Sequence, residues 1–482
     1  MKKVLLINPR FTEEVSIFNI PISLLYLGSY LIEKRYEVKI LDALYFSKEE
    51  FRKRLDFNLL GWQPDLVGLT VMSTQIPHAI DISLTVKEKT KIPIVWGGVH
   101  PTLFPTQTYT SHYVDYVVEG DGEEAIIDIL EEVEPKLKVK NRGPIDIDST
   151  PGPNWVLLQQ TFPDVPLGHM QFLMEFGIPI LTSRGCPHKC TFCINSILGT
   201  KYRRRNLDLV MEDLEYAKSL GLGRVEFVDE DFFADKKRLF SFIDKVTPIG
   251  IEWVAGCRTS YFTDKYLGNI GNLKKIKKSG CWFLGTGAES GSQRILDKVN
   301  KGSKVEDTLA MAEALGKAGI QGNFSFMIGL PGETEEDYKA TLDLIGKVVK
   351  TNPNTYVLGP QIYRPYPGSS LYNECVEQGM IEPQTLEEWE RSPYIHFEFA
   401  SKSSYLKEYY PWIQFKGDLT SLVFYATLMG VRPRFMPVTR VMRLIGKVRC
   451  KLYFFRFPFL KWLYGTIRGS GVENILRKRR VI

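Results

Sequence analysis

The chain has 482 residues, of which 44% are apolar and 24% charged, with a net charge of +6. That balance is globular, and the length asks for two or three domains rather than one core. No run of about 18 uncharged apolar residues occurs, so no transmembrane helix is expected, and seven cysteines with no signal peptide and no even framework read as cytoplasmic and reduced.

In chain order, residues 1–140 alternate β-branched runs with helical stretches. Strands are expected at Lys3–Asn8, Glu37–Leu41, Leu66–Val71, Pro93–Trp96 and Tyr116–Val118, with helices such as Ile22–Lys34 and His78–Lys89 between them. Five strands with intervening helices make a doubly wound parallel α/β sheet. Such sheets bind ligands beyond the carboxyl ends of their strands. Asn8, Ser73, Thr74, Gly97, Gly98, His100, Glu119 and Gly120 fall there. A nicotinamide site is a weak reading, because no G-x-G-x-x-G follows the first strand. Gly97-Gly98 would let a large flat or phosphorylated ligand approach the backbone, and would equally make a plain turn.

Residues 141–177, punctuated by Pro151-Gly152-Pro153, read as a linker. An apolar strand over Ile178–Leu181 then leads into Cys186-Pro187-His188-Lys189-Cys190-Thr191-Phe192-Cys193. Three close thiolates can hold three corners of a cubane iron–sulfur cluster, leaving one iron open. A structural zinc site would need a fourth donor, and only His188 of the same short loop is at hand. Further strands are expected at Arg224–Val228, Glu252–Gly256, Trp282–Thr286, Gly322–Ile328 and Val357–Ile362, each with a helix nearby. Six βα units over residues 178–385 suit a partial TIM-like barrel, whose chemistry gathers at the carboxyl ends of the strands. Asp229, Arg258, Glu289-Ser290 and the turn Gly329-Leu330-Pro331-Gly332-Glu333 stand at those ends. Cys257, Cys281, Cys375 and Cys450 are expected to be buried spectators.

The Cys-x3-Cys-x2-Cys spacing with Phe192 before the last cysteine resembles the radical S-adenosylmethionine (SAM) enzymes. The resemblance implies a 4Fe-4S cluster on Cys186, Cys190 and Cys193 that cleaves SAM to a 5′-deoxyadenosyl radical. It also implies SAM contacts from Phe192, Asp229, Arg258, Glu289, Ser290, Gly329 and Pro331. Gly97, Gly98, His100 and Thr102 match the Gly-Gly-x-His-x-Thr stretch of the cobalamin-binding domains that precede many such barrels. This resemblance implies cobalamin contacts from Asn8, Ser73, Thr74, Gly97, Gly98, His100, Glu119 and Gly120. The Asp-x-His-x-x-Gly loop that supplies a lower axial histidine is absent, so the lower cobalt face would be open or hold water.

Residues 386–482 are aromatic, basic and expected to be mostly helical. From Val431 onward there are 14 Lys and Arg against one acidic residue, Glu473. Cations interleaved with aromatics over Leu452–Tyr464, and the cluster Arg477-Lys478-Arg479-Arg480, suit an anionic membrane surface at the inner face better than nucleic acid, with a helical cap over the barrel mouth and a solvated basic face as the plainer alternative. The reading that follows is a cobalamin-dependent radical SAM methyltransferase acting on an unactivated carbon of a small molecule or lipid, fed by a donor such as flavodoxin or ferredoxin. An RNA-modifying enzyme, a non-methylating oxidoreductase or cyclase, and a non-catalytic sensor remain as alternatives. A methylthiotransferase is disfavoured, since residues 1–185 contain no cysteine.

Overall fold

The computed structural model describes residues 1–11, 20–133, 138–173, 176–198, 201–392, 410–413, 415, 418–430, 436–453 and 455. The first sheet holds β1 (Lys3–Asn8), β2 (Glu37–Asp42), β3 (Leu66–Thr70), β4 (Ile94–Gly97), β5 (Tyr116–Val118) and β6 (Val139–Lys140). All pair in parallel, in the order β2-β1-β3-β4-β5-β6. Val4 to Ile7 are buried on both faces because helices cover both sides, which is why β1 is an unbroken apolar run. The direction of winding reverses between β1 and β3, opening a crevice at their carboxyl ends. Strand β6 was not expected, since two residues carry no period.

The second sheet is also all parallel, in the order β14-β13-β12-β11-β10-β7. Its strands are β7 (Ile178–Ile180), β10 (Arg224–Phe227), β11 (Glu252–Gly256), β12 (Cys281–Glu289), β13 (Gln321–Ile328) and β14 (Tyr356–Ile362). Strands β8 (Ser183–Arg184) and β9 (Arg203–Arg204) form a separate antiparallel hairpin around the cysteine loop. The six-stranded half-barrel is open, because β7 and β14 do not pair. On β13 alternation is clean: Phe324, Phe326 and Ile328 are buried, while Asn323, Ser325 and Met327 on the opposite face are half-buried. Gly285 and Gly287 of β12 lie beside Asn323 and Ser325, so that face keeps open room.

Residues between the sheets are packed. Trp155 is wholly buried, Asn154 N–H donates to Ser29 Oγ (2.7 Å), and Gln171 Nε2 donates to Gly221 O (2.8 Å). The helix Leu386–Arg391 returns to the first sheet, where Leu386 and Trp389 join the core of Leu5, Val67 and Trp96. The described C-terminal part is helical, over Leu419–Met429 and Met436–Lys451, and Val357 N–H on β14 donates to Gly430 O. Most of the aromatic run Leu452–Tyr464, and the whole cluster Arg477-Lys478-Arg479-Arg480, lie outside the described residues. Among the described residues no helix is long and apolar enough to cross a membrane.

Beyond β1 and β2, Asn8 Nδ2 donates to Asp42 Oδ1 (3.1 Å) and Gln75 Nε2 donates to Asn8 Oδ1 (2.9 Å). Burial pushes the Asp42 carboxyl up to about 7. A carboxyl whose folded pKa exceeds its unfolded one keeps its proton longer in the native state, so its burial costs more stability as pH rises between the two values. Asp42→Asn should therefore gain on the parent between pH 5 and 7 and then level off, by on the order of 3 kcal/mol at pH 8. Urea melts across that range check it; parallel pH profiles for the two proteins would refute it.

Candidate active site

Asp229, just past β10, sets the exit of β7. Its carboxylate accepts from Thr182 N–H (3.1 Å), Thr182 Oγ1 (2.9 Å) and Ser183 Oγ. Gly185 then turns the chain with φ +84°, a left-handed conformation that suits glycine. In the loop beyond, Cys190 is buried and Cys186 and Cys193 are half-buried. The loop is pinned from the end of the helix Gln293–Lys298 that follows β12: Thr191 N–H donates to Val299 O (3.0 Å) and Asn300 Nδ2 to Lys189 O (2.9 Å). His188 Nε2 sits 3.0 Å from Asp231 Oδ2 and 2.9 Å from Tyr261 OH, which itself donates to Asp231 Oδ2 (2.6 Å).

Two cations attend the thiols. Arg258 Nη1 lies 3.4 Å from Cys190 Sγ. Lys301 Nζ donates to Glu289 Oε1 (2.8 Å) and stands 5.7 Å from the Phe192 ring centroid. Glu289 itself has φ +60°, a strained setting for a non-glycine residue that marks functional sites. Burial raises the Cys186 and Cys193 thiols, so in the metal-free protein they hold their protons. Metal binding must displace those protons. Three cysteine thiols on one loop are the donor type an iron–sulfur cubane takes, and by that chemistry the set fits it. Buried atoms of Asp231 (Oδ1), Arg258 (Nε), Thr286 (Oγ1) and Asn323 (Oδ1) have no partner. Buried polar atoms are normally satisfied, so these are places for a polar ligand.

A cavity of about 390 Å³ lies between the carboxyl ends of the first sheet and the cysteine hairpin. Leu6, Thr70, Gly97, Gly98, Thr102 and Gly120 line one side, and Arg184, Gly185, Asn195 and Leu198 the other. Gly98 has φ +97°, and a Cβ there would stand 2.9 Å from Val71 N. Gly120, at φ +81°, faces open space. Thr102 Oγ1 donates to Gly98 O (2.8 Å) and accepts from Gly120 N–H (3.1 Å), tying the two glycine turns together. Across the cavity, Arg184 binds Asp121 (3.3 Å) and Glu123 (2.6 Å), and Arg203 binds Asp121 (2.6 Å).

Two family patterns match the chain. A B12 binding domain covers residues 13–130, and the radical SAM superfamily covers residues 180–345. The chain is a radical SAM enzyme with an N-terminal B12-binding domain. It is 28% identical to an uncharacterised methyltransferase of Pyrococcus horikoshii over 75% of this chain and 79% of that one. It is 26% identical to the bacteriochlorophyllide d C-8(2)-methyltransferase of Chlorobaculum tepidum over 77% and 79% of the two chains. The radical SAM methyltransferase TsrM of Kitasatospora setae, solved with cobalamin and a 4Fe-4S cluster, superposes with TM-score 0.63 at 20% identity over 80% and 76%. That last likeness shows the fold.

The expected residues fall into three groups. Cys186, Cys190, Cys193, Phe192, Arg258 and Glu289 are brought together, as the contacts above show. Gly97, Gly98 and Gly120 line the cavity. Asp229 is consumed by Thr182 and Ser183. Ser290 is wholly buried, its Oγ 3.2 Å from Thr341 Oγ1. The Gly329–Glu333 turn closes on itself: Glu333 Oε2 accepts from Gly329 N–H (2.6 Å) and Leu330 N–H (3.0 Å), Trp412 Nε1 donates to Gly329 O (3.0 Å), and Pro331 is buried. Asn8 belongs to the buried Asp42 network, and Ser73 Oγ lies 3.1 Å from Nδ1 of His100, which is wholly buried against Trp389. Burial lowers the His100 pKa to about 3, so the ring is neutral. Thr74 and Glu119 do not line the cavity. Sequence reasoning placed Asp231 beside Asp229 at a strand end but missed Lys301, Tyr261 and the arginine pair. Lys301 alone carried a signal, twelve residues after Glu289 in a Gly-bounded loop, and that signal is slight.

Arg184→Met should strand the buried Glu123 carboxylate and cost about 3–5 kcal/mol. Adding Glu123→Leu should restore at least half of that loss, because no unpaired charge remains. Denaturant titration of the single and double variants decides; strictly additive losses would refute the pairing.

Proposed function

We propose that this chain is a cobalamin-dependent methyltransferase that alkylates an unactivated carbon of a small molecule. The observation that carries the reading is that one and the same cavity is lined on one side by Gly97, Gly98 and Gly120 and on the other by Gly185, next to Cys186 in the chain. When bound, the cluster supplies the electron that cleaves the SAM sulfonium and cobalamin carries the methyl group. The protein's part is to hold its cofactors face to face.

Cys186, Cys190 and Cys193 would hold three irons. Arg258, buried beside Cys190, suits a carboxylate by charge-assisted pairing, and the Glu289–Lys301 pair offers both charges to an amino acid group. Lys301 and Phe192 would order the open side of the cluster. His188, fixed by Asp231 and Tyr261, keeps the loop from swinging. The glycine turns bound by Thr102 would cradle a flat cofactor. We place cobalamin binding in residues 1–140 together with the helix Leu386–Arg391, and the radical chemistry in residues 178–385. A flavodoxin or ferredoxin would supply the electron. The relative from Chlorobaculum tepidum is named for bacteriochlorophyllide d, which supports a small-molecule substrate here.

Anaerobic reconstitution tests this. The protein should bind a corrinoid, form deoxyadenosine, and pass label from methyl-labelled SAM to the corrinoid. Cys186→Ala/Cys190→Ala/Cys193→Ala should abolish the cluster absorbance and deoxyadenosine while retaining the corrinoid. Deoxyadenosine without corrinoid binding would favour a non-methylating radical enzyme; zinc in place of iron would end the reading.

A further inference from the structure

The helix Met436–Lys451 has one face against the protein and one toward solvent. On the inner face Gly446 and Cys450 are buried, and a Cβ on Gly446 would stand 2.6 Å from Tyr425 O. Arg443 donates to Pro353 O and Thr355 O (both 2.9 Å), and Arg449 to Tyr425 OH (2.9 Å). These contacts fix the rotation of the helix. The outer face then presents Val441 (58% exposed), Leu444 (61%) and Val448 (46%), with Leu452 (67%) just beyond the helix. Arg440, Lys447 and Lys451 are exposed along the same face, at one edge of this stripe, by the helical period. None of the three makes an ion pair among the described residues.

We propose that this face docks in the plane of an anionic lipid bilayer. Apolar side chains beside a row of cations are the pattern of an in-plane membrane helix: the first enter the acyl boundary, the second meet the headgroups. Charge favours that occupant, since no acidic residue occurs between Leu419 and Val472. A second copy seated by two-fold symmetry would bring the same cations against each other. Nucleic acid would meet the cations but leave the apolar stripe unused. The proposal is independent of the methyl-transfer reading.

Flotation of the full chain tests it, with vesicles of phosphatidylcholine alone and of phosphatidylcholine with phosphatidylglycerol. Binding should need the anionic lipid and weaken with salt. Arg440→Gln/Lys447→Gln/Lys451→Gln should lower partitioning on the order of a hundredfold, and Leu444→Gln/Val448→Gln at least about tenfold. Thermal melts should be unchanged in both, since the altered side chains are exposed. Absence of binding overturns the proposal, as does binding that either variant retains in full. So does a dimer, seen by sedimentation velocity, that Leu444→Gln/Val448→Gln disperses, or RNA binding that depends on the cations alone.

Discussion

In the hairpin that brackets the cysteine loop, Arg184 and Arg203 are cross-strand neighbours. Like charges placed opposite one another repel, so this pairing is costly unless an anion stands between them. Asp121 is that anion, bridging both guanidinium groups, with Glu123 taking the other arm of Arg184. The carboxylates come from the loop after β5 and the start of the next helix; the arginines come from the hairpin. Strand pairing next to the cluster loop is thus complete only when the first sheet is docked. The cavity between the two sheets has its shape because the clasp closes one side of it.

Within the half-barrel the same logic recurs at shorter range. Polar pairs surround the thiols: Arg258 at Cys190, Lys301 against Glu289, His188 against Asp231. Each is buried or half-buried and each is tied to a different strand end, so the loop is positioned by several elements at once. Asp229 contributes from below, through Thr182 and Ser183, and never needs to touch a ligand. Glycines on β12 supply space where the charged groups supply orientation.

Much of this was legible from the residues. Strand positions in both sheets follow from β-branched runs and agree with the structure to a residue or two for β1, β5, β11 and β13, and the cysteine spacing located the loop. Strand β12 extends past its expected end at Thr286 because Gly287 looks like a turn residue in sequence, although here it pairs with Ser325 in a parallel ladder. Residues such as Asp229, Ser290 and Asn8 were placed correctly at strand ends, but position does not reveal which way a side chain turns. Buried polar groups close on local partners when those exist, and Thr182, Thr341 and Asp42 were such partners. The Arg184–Asp121–Arg203 bridge joins residues 63 and 82 positions apart, and no periodic pattern carries that.

Trp389 is the feature with the widest reach. Its indole donates to Gln107 and packs edge-on against His100, while Tyr113 donates to Glu387. The polypeptide that leaves the first sheet after β6 therefore comes back to it after traversing the whole barrel. Any swing of one sheet away from the other would have to break the Trp389 and Glu387 contacts or carry the helix Leu386–Arg391 along with the first sheet.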